Sequence, residues 1–324
     1  MNTLEIEDLR LTLPGTARPV LDGVTLAVGA GETVALVGES GSGKTLTSRA
    51  ALGFLPRGAE VEGAVRVAGQ DLLAMGAREL RGVRALTVSM VFQDPRTALN
   101  PLRRIGDFLT ESLRTNLRWS ARRAGDRARE LLDAVGLDER VLRQYPHELS
   151  GGMLQRVTIA AALMSDPALL LADEPTTALD VSTQAEIVAL LADLRARFGT
   201  ALLFVTHDLH LAAAISDRVC VMYAGRIVEA GPAGALFGTP RHPYTAALLA
   251  STPQVDQPRR RLDAISGQPP DLRTALAGCP FADRCRHATD LCRAEAPVST
   301  AVDGGTVACH HHTRLTLEGI THHG

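Results

Sequence analysis

The stretch VALVGESGSGKT, Val34 to Thr45, decides the fold. A short apolar run ends in Gly38, Glu39, Ser40, Gly41, Ser42, Gly43, Lys44 and Thr45, which together fit the phosphate-loop pattern G-x-x-x-x-G-K-S/T. A helical pattern reaching Leu55 follows. In such a loop Gly41 and Gly43 let the backbone close around phosphate oxygens, the N–H groups point inward, and the N-terminus of the next helix favours negative charge. Lys44 is the one lysine in 324 residues; the other 33 of the 34 lysines and arginines are arginine. A compact ammonium on a flexible stem fits among crowded N–H groups where a planar guanidinium is too bulky. Lys44 is therefore expected to reach the β- and γ-phosphates of a nucleotide, and Thr45 to ligate Mg²⁺.

Working outward, Leu169–Ala172 and Ala201–Val205 are further short apolar runs, separated by helical patterns, as buried parallel strands would be. The expected class is α/β. Alternation in TLEIEDLRLTL from Thr3, GAVRVAG from Gly63 and RVCVMYAGRIVEAG from Arg218 predicts antiparallel strands beside that core, and residues about 95–163 read as mainly helical. The run ALLLADEP delivers Asp173 and Glu174 at a strand's carboxyl end, where open α/β sheets bind ligands. Asp173 is suited to hold Mg²⁺ through water, and Glu174 to polarise an attacking water. TALLFVT delivers His207 in the same way, and Gln93 follows SMVFQDP.

With 45% hydrophobic residues the chain can fill a sizeable core, and its net charge of −2 gives no footprint for a nucleic-acid partner. The arginine-rich run LRTNLRWSARRAGDRAR reads as the solvated face of helices. No basic-then-apolar leader opens the sequence, and no apolar stretch approaches the roughly 20 residues that cross a bilayer. A cytosolic chain is expected, unless a membrane partner holds it. STPQVDQPRRRLDAISGQPPD from Ser251 reads as a linker. Beyond it lie Cys279, Cys285, Cys292 and Cys309, with Cys220 apart, which marks a C-terminal unit.

Between the phosphate loop and the acidic pair lies LSGGMLQR, whose Ser150, Gly151 and Gly152 are placed to open a helix as a second anion site. The order phosphate loop, Gln93, LSGG, Asp173-Glu174, Ala178-Leu179-Asp180 and His207 resembles the ATP-binding subunits of ABC transporters, from the first strand to about Gly231. The resemblance implies a P-loop NTPase fold with a RecA-like core, an antiparallel β-subdomain and a helical subdomain. It also implies that two such domains pack head to tail, so that Ser150 and Gly152 of one complete the ATP site of the other. Two departures stand out. No aromatic residue precedes Phe54 to stack on adenine, which leaves Val20 or another apolar side chain for that role, and Leu154 takes a position that is often polar.

FQDPRTALNP, MYAGRIVEAG, FGTPRHPYTAALLASTP and GCPFADRCRHATDLCRAEAP extend the resemblance to the dipeptide/oligopeptide importer branch, close to nickel and metallophore importers. His242, Pro243 and Tyr244 read as a helix start packed on the core. The expected arrangement is an ATP-binding domain over residues 1–250, a linker over 251–277 and a four-cysteine region over 278–324. What this branch implies is an ATPase at the cytoplasmic face of the membrane, working with two permease subunits, a second ATPase subunit of the same or a different kind, and, indirectly, a solute-binding protein. A soluble ABC ATPase of DNA repair or translation would carry two nucleotide domains or coiled-coil insertions, and a non-catalytic regulatory subunit would lack Glu174 or His207.

The spacing C-x5-C-x6-C-x16-C lies in a region too short for its own core, so it needs a staple. Disulfides are disfavoured in a reducing cytosol. Zinc ribbons present paired C-x2-C turns that are absent here, whereas four spread thiolates can each ligate a corner of a 4Fe-4S cube, and the branch resemblance points the same way. Zinc and bare cysteines stay as alternatives, with His310, His311 and His312 read as a solvated tail.

Overall fold

Every residue of Thr33–Val37 is buried, and the pleat sends its side chains alternately to two different cores. Val34 and Leu36 join one cluster, Ala35 and Val37 another. A strand covered on both faces must lie inside a layered α/β sheet, and this one does. The computed structural model describes residues 2–177, 179–252 and 265–319. Its strands are β1 (Asn2–Thr12), β2 (Leu21–Gly29), β3 (Thr33–Val37), β4 (Glu60–Val67), β5 (Gln70–Asp71), β6 (Val88–Val91), β7 (Leu169–Asp173), β8 (Ala201–Thr206), β9 (Arg218–Tyr223), β10 (Arg226–Pro232), β11 (Thr300–Val302) and β12 (Gly305–Val307).

The central sheet has the order β11-β12-β10-β9-β3-β8-β7-β6, in which β9, β3, β8, β7 and β6 run parallel. β10, β12 and β11 add an antiparallel extension. A second sheet, β2-β1-β4-β5, is antiparallel throughout. One apolar core lies between the two sheets, with Leu4, Ile6 and Val65 on one side and Leu169, Leu203 and Val205 on the other.

The helices are α1 (Lys44–Ala50), α2 (Ala77–Leu86), α3 (Pro95–Ala98), α4 (Ile105–Thr115), α5 (Ala121–Ala134), α6 (Gly151–Ala162), α7 (Val181–Phe198), α8 (Leu209–Ile215), α9 (Ala233–Gly238), α10 (Pro243–Ala250) and α11 (Asp290–Ala294). α1 stops at Ala50 rather than running to Leu55, because Gly53 adopts φ 63° and its N–H turns back to the Ala50 carbonyl. α4, α5 and α6 share a second core with α7 and the other face of β7 and β8. Leu154 is buried in that core, which accounts for an apolar residue at its position in LSGGMLQR.

The C-terminal segment lays β12 along β10, with Glu229 opposite Val307, and so lengthens the central sheet. Phe281 packs with Tyr223 and Tyr244 in a third core. His310, His311 and His312 do not form a solvated tail. Their rings reach the Glu295 carbonyl, Thr289 Oγ1 and the Cys309 carbonyl at 2.9, 3.0 and 2.8 Å. Within the expected linker, residues 253–264 lie outside the described residues, as do Ala178 and residues 320–324. No helix among the described residues is long and apolar enough to cross a membrane.

Candidate functional site

Four neighbouring parallel strands, in the order β3, β8, β7 and β6, end on the same edge of the sheet. The phosphate loop leaves β3, His207 follows β8, Asp173 and Glu174 close β7, and Gln93 follows β6. Register explains why they meet: Val37 pairs with Thr206, Asp173 with Val205, and Val91 with Ala172.

The loop is shaped by its glycines at the tightest points. A side chain on Gly38 would place Cβ 2.2 Å from the Met222 carbonyl oxygen, and Gly43 adopts φ 108° to start α1. Lys44 is 4% exposed, and its Nζ donates to the carbonyls of Gly38 at 2.8 Å and Glu39 at 3.0 Å. Burial lowers its pKa, opposed by the nearby carboxylates of Glu174, Asp173 and Glu39. Thr45 Oγ1 donates to Asp173 Oδ1 at 3.0 Å. Burial raises the Asp173 pKa against that hydrogen bond. This hydroxyl and carboxylate therefore form a ready pair of hard oxygen donors, the kind of set Mg²⁺ takes alongside phosphates.

Glu174 is the hub. Gln93 Nε2 and Thr177 Oγ1 donate to its Oε2 at 3.2 and 3.0 Å, His207 Nδ1 lies 3.4 Å from the same oxygen, and Lys44 Nζ lies 3.9 Å from Oε1. The backbone holds it in a left-handed conformation, φ 48°, with its N–H on the Val205 carbonyl. A non-glycine residue in that region is strained unless its surroundings fix it, and functional sites are where such strain collects. An open groove beside the loop is lined by Val20, Ser40, Gly41, Gly43, Lys44, Thr45, Leu46, Arg49, Gln93 and Glu174. Val20 is thus at the groove, and Arg49 is a lining cation that pattern reading passes over.

The remaining expected residues gather elsewhere. Ser150 caps α6 by accepting from the Met153 N–H at 3.3 Å, and Gly151 and Gly152 follow it. Gly152 faces Thr183, close enough that an added Cβ would lie 3.1 Å from its methyl. Asp180 caps α7, accepting from the Thr183 N–H and hydroxyl and from Ser182. Ser150, Gly151, Gly152 and Asp180 do not line the groove. Nor does the Glu39 side chain, which turns toward Arg284.

Cys279, Cys285, Cys292 and Cys309 line one cavity, with His242, Phe281, His287 and His311 among its other walls. Three sulfurs accept from a backbone N–H two residues on: Cys279 from Phe281, Cys285 from His287 and Cys309 from His311. Cys292 Sγ lies 3.5 Å from Thr289 Oγ1 and 3.4 Å from His311 Nε2. Burial pushes the Cys279 thiol up to about 11 and raises Cys285 and Cys309 as well. Among the described residues, no group of three or more His, Cys, Asp or Glu side chains is disposed to hold a metal ion.

The ABC transporter family matches residues 21–177, a span that opens on β2 before the phosphate loop and closes just past Glu174. An oligopeptide transport ATP-binding protein of Salmonella typhimurium is 43% identical over 94% of this chain and 92% of its own length. The chain belongs to the ABC transporter ATP-binding proteins. It is also 45% identical to a putative peptide import ATP-binding protein of Brucella abortus, over 96% of both chains. The family described as the C-terminal region of oligopeptide/dipeptide transporters matches residues 228–292, from β10 to the third cysteine of the cavity. Among solved structures, a dimeric ATP-binding cassette in a post-hydrolysis state with ADP and Pi is 29% identical, with a TM-score of 0.63, over 71% of this chain and 98% of its own. The chain is an ABC ATPase, and its described fold agrees with those cassettes.

Proposed function

We propose that this chain hydrolyses ATP at the cytoplasmic face of a membrane to drive peptide import through two permease subunits. The observation that carries the reading is the meeting of Lys44, Thr45, Gln93, Asp173, Glu174 and His207 at the ends of four adjacent strands. Lys44 compensates the β- and γ-phosphates. Thr45, Gln93 and Asp173 would hold Mg²⁺, which when bound would supply positive charge against the transferred phosphoryl group. Glu174 orients and deprotonates the attacking water, with His207 beside it holding the terminal phosphate oxygens. Ser150, Gly151, Gly152 and Asp180 serve the site of a second ATPase subunit: they open α6 and α7, and the capping bonds of Ser150 and Asp180 run to Met153, Ser182 and Thr183 rather than to the six clustered residues. That partner is a paralogue, with a homodimer as the other outcome. A solute-binding protein acts indirectly.

Peptide is favoured over nickel by kinship, because the similar proteins carry peptide-transport names and the C-terminal match is to peptide transporters. Co-expression with the two permeases, reconstitution with the solute-binding protein, and measurement of ATP hydrolysis stimulated by peptide decide the matter. Stimulation by chelated nickel and none by peptide would reject the substrate class, while full activity without any permease would favour a soluble ATPase.

We further propose that Cys279, Cys285, Cys292 and Cys309 hold a 4Fe-4S cluster that folds the 278–324 region onto the 1–250 unit. Support comes from four thiols on one cavity; N–H donors at three of the sulfurs offset part of the burial that raises their pKa, and bound iron would have to supply the rest. Anaerobic purification should give a brown chain with about four irons. A colourless chain carrying one zinc would replace the cluster with a structural zinc site.

A further inference from the structure

Glu39 of the phosphate loop is gripped from two sides, by Arg284 of the cysteine-rich segment and by Tyr244 of α10. Arg284 Nη1 and Nη2 donate to the two Glu39 carboxylate oxygens at 2.7 and 2.9 Å, the forked geometry that suits a guanidinium on a carboxylate. The Glu39 backbone N–H donates to the Tyr244 hydroxyl at 2.9 Å. Glu39 adjoins Gly38, and its own carbonyl accepts from Lys44. Side chain, N–H and carbonyl of one loop residue are thereby all committed.

Arg284 has no freedom to do anything else. Its Nε donates to the Ser266 carbonyl at 3.0 Å, Nη2 also reaches the Ile265 carbonyl, and Nη1 the Tyr223 hydroxyl. Its guanidinium sits 5.6 Å from the Tyr223 ring centre and 5.9 Å from that of Phe281. The next residue in sequence is Cys285, on the cavity wall. Tyr244 has its own tie to the cavity: its N–H donates to His242 Nδ1 at 3.0 Å, and the buried His242 ring lines the cavity and bonds to the backbone of Ala308, beside Cys309. Both grips on Glu39 thus end next to a cavity cysteine.

A carboxylate inside a loop that binds polyphosphate opposes its ligand unless something neutralises it. We propose that Arg284, supported by Tyr244, is a positioning residue that neutralises Glu39 and fixes the loop's shape, and that it thereby sets the affinity for ATP. This rests on the loop being the ATP site.

The test is ATP KM and kcat of the full chain in its transporter. Arg284→Ala should raise KM about tenfold, within the usual range for coupled sites, and leave kcat at saturating ATP within about twofold. Arg284→Lys, which keeps the charge and loses the fork, should fall between. Adding Glu39→Gln to Arg284→Ala should bring KM back to within about threefold of wild type, because the uncompensated charge is then gone. A role confined to folding would lower the amount of active protein and would not be rescued by Glu39→Gln. An unchanged KM in Arg284→Ala, or a double variant no better than the single, overturns the proposal. If Arg284→Ala does not assemble, Tyr244→Phe decides, with a KM raised about threefold at constant kcat expected and an unchanged KM refuting. Lys44→Ala separates the underlying reading: ATP binding at wild-type affinity there would mean that the loop is not the ATP site at all.

Discussion

Replacing Glu174 by glutamine isolates proton transfer from phosphate binding. The side chains are the same shape, so the Gln93 and Thr177 donors keep an oxygen at 3.2 and 3.0 Å, and the backbone strain at φ 48° is unchanged. Lys44, Thr45 and the loop glycines are untouched, and Lys44 Nζ makes its two carbonyl bonds without Glu174. What is lost is the basic oxygen between Gln93 and His207. A general base contributes about 10²–10⁴-fold, so kcat should fall by that factor while ATP affinity changes by less than about threefold. Single-turnover hydrolysis and equilibrium ATP binding on the same preparation measure the two quantities. With hydrolysis blocked, the ATP-bound subunits should stay paired, which native mass spectrometry reads directly. Turnover within about fivefold of wild type would remove Glu174 from the role of base, and a parallel loss of ATP binding would make its role electrostatic instead.

Lys44→Arg should lose ATP binding almost as fully as Lys44→Ala, since a 4% exposed ammonium bonded to two loop carbonyls leaves no room for a guanidinium; titration calorimetry with ATP checks this. Gly38→Ala should cut the yield of folded chain and lower Tm by several degrees, because a Cβ 2.2 Å from a backbone carbonyl forces β3 and β9 apart. The buried Glu229 accepts from the N–H groups of Arg241 and His242, and burial still raises its pKa. A carboxyl whose folded pKa is raised favours folding most below its unfolded pKa, and that contribution is lost as pH rises through the folded value. Denaturation of Glu229→Gln should therefore show a penalty that shrinks as pH rises above the ordinary glutamate range, and a growing penalty would mean the carboxylate form is the favoured one.

The meeting of Lys44, Thr45, Gln93, Asp173, Glu174 and His207 is legible in the sequence because each follows a strand whose burial is written in its own residues, as in TVALV and LLLAD. Parallel strands then bring their carboxyl ends to one edge without further information. The length of α1 is not legible locally, because Ala51 and Leu52 continue an apolar pattern while the stop depends on Gly53 in a left-handed turn. The roles of Glu39, Tyr244 and Arg284 were hidden for a different reason. Their contacts join residues more than two hundred positions apart, and no local pattern records a partner at that distance. The placement of His310, His311 and His312 is hidden in the same way, since polar runs usually face solvent and only the fold brings His311 back onto Thr289.

The strand that delivers the phosphate loop has no neighbour close to it in sequence. β3 pairs only with β8 and β9, so Val37 waits for Thr206 and Val221. During synthesis the loop is chemically complete once Thr45 has emerged, yet the strand that carries it has no sheet partner until more than half of the remaining chain has left the ribosome. Closing so long a segment is slow compared with forming local helices. Nucleotide capture is therefore expected late in the life of the nascent chain. A labelled nucleotide added to a series of stalled chains of increasing length would report when the central sheet closes.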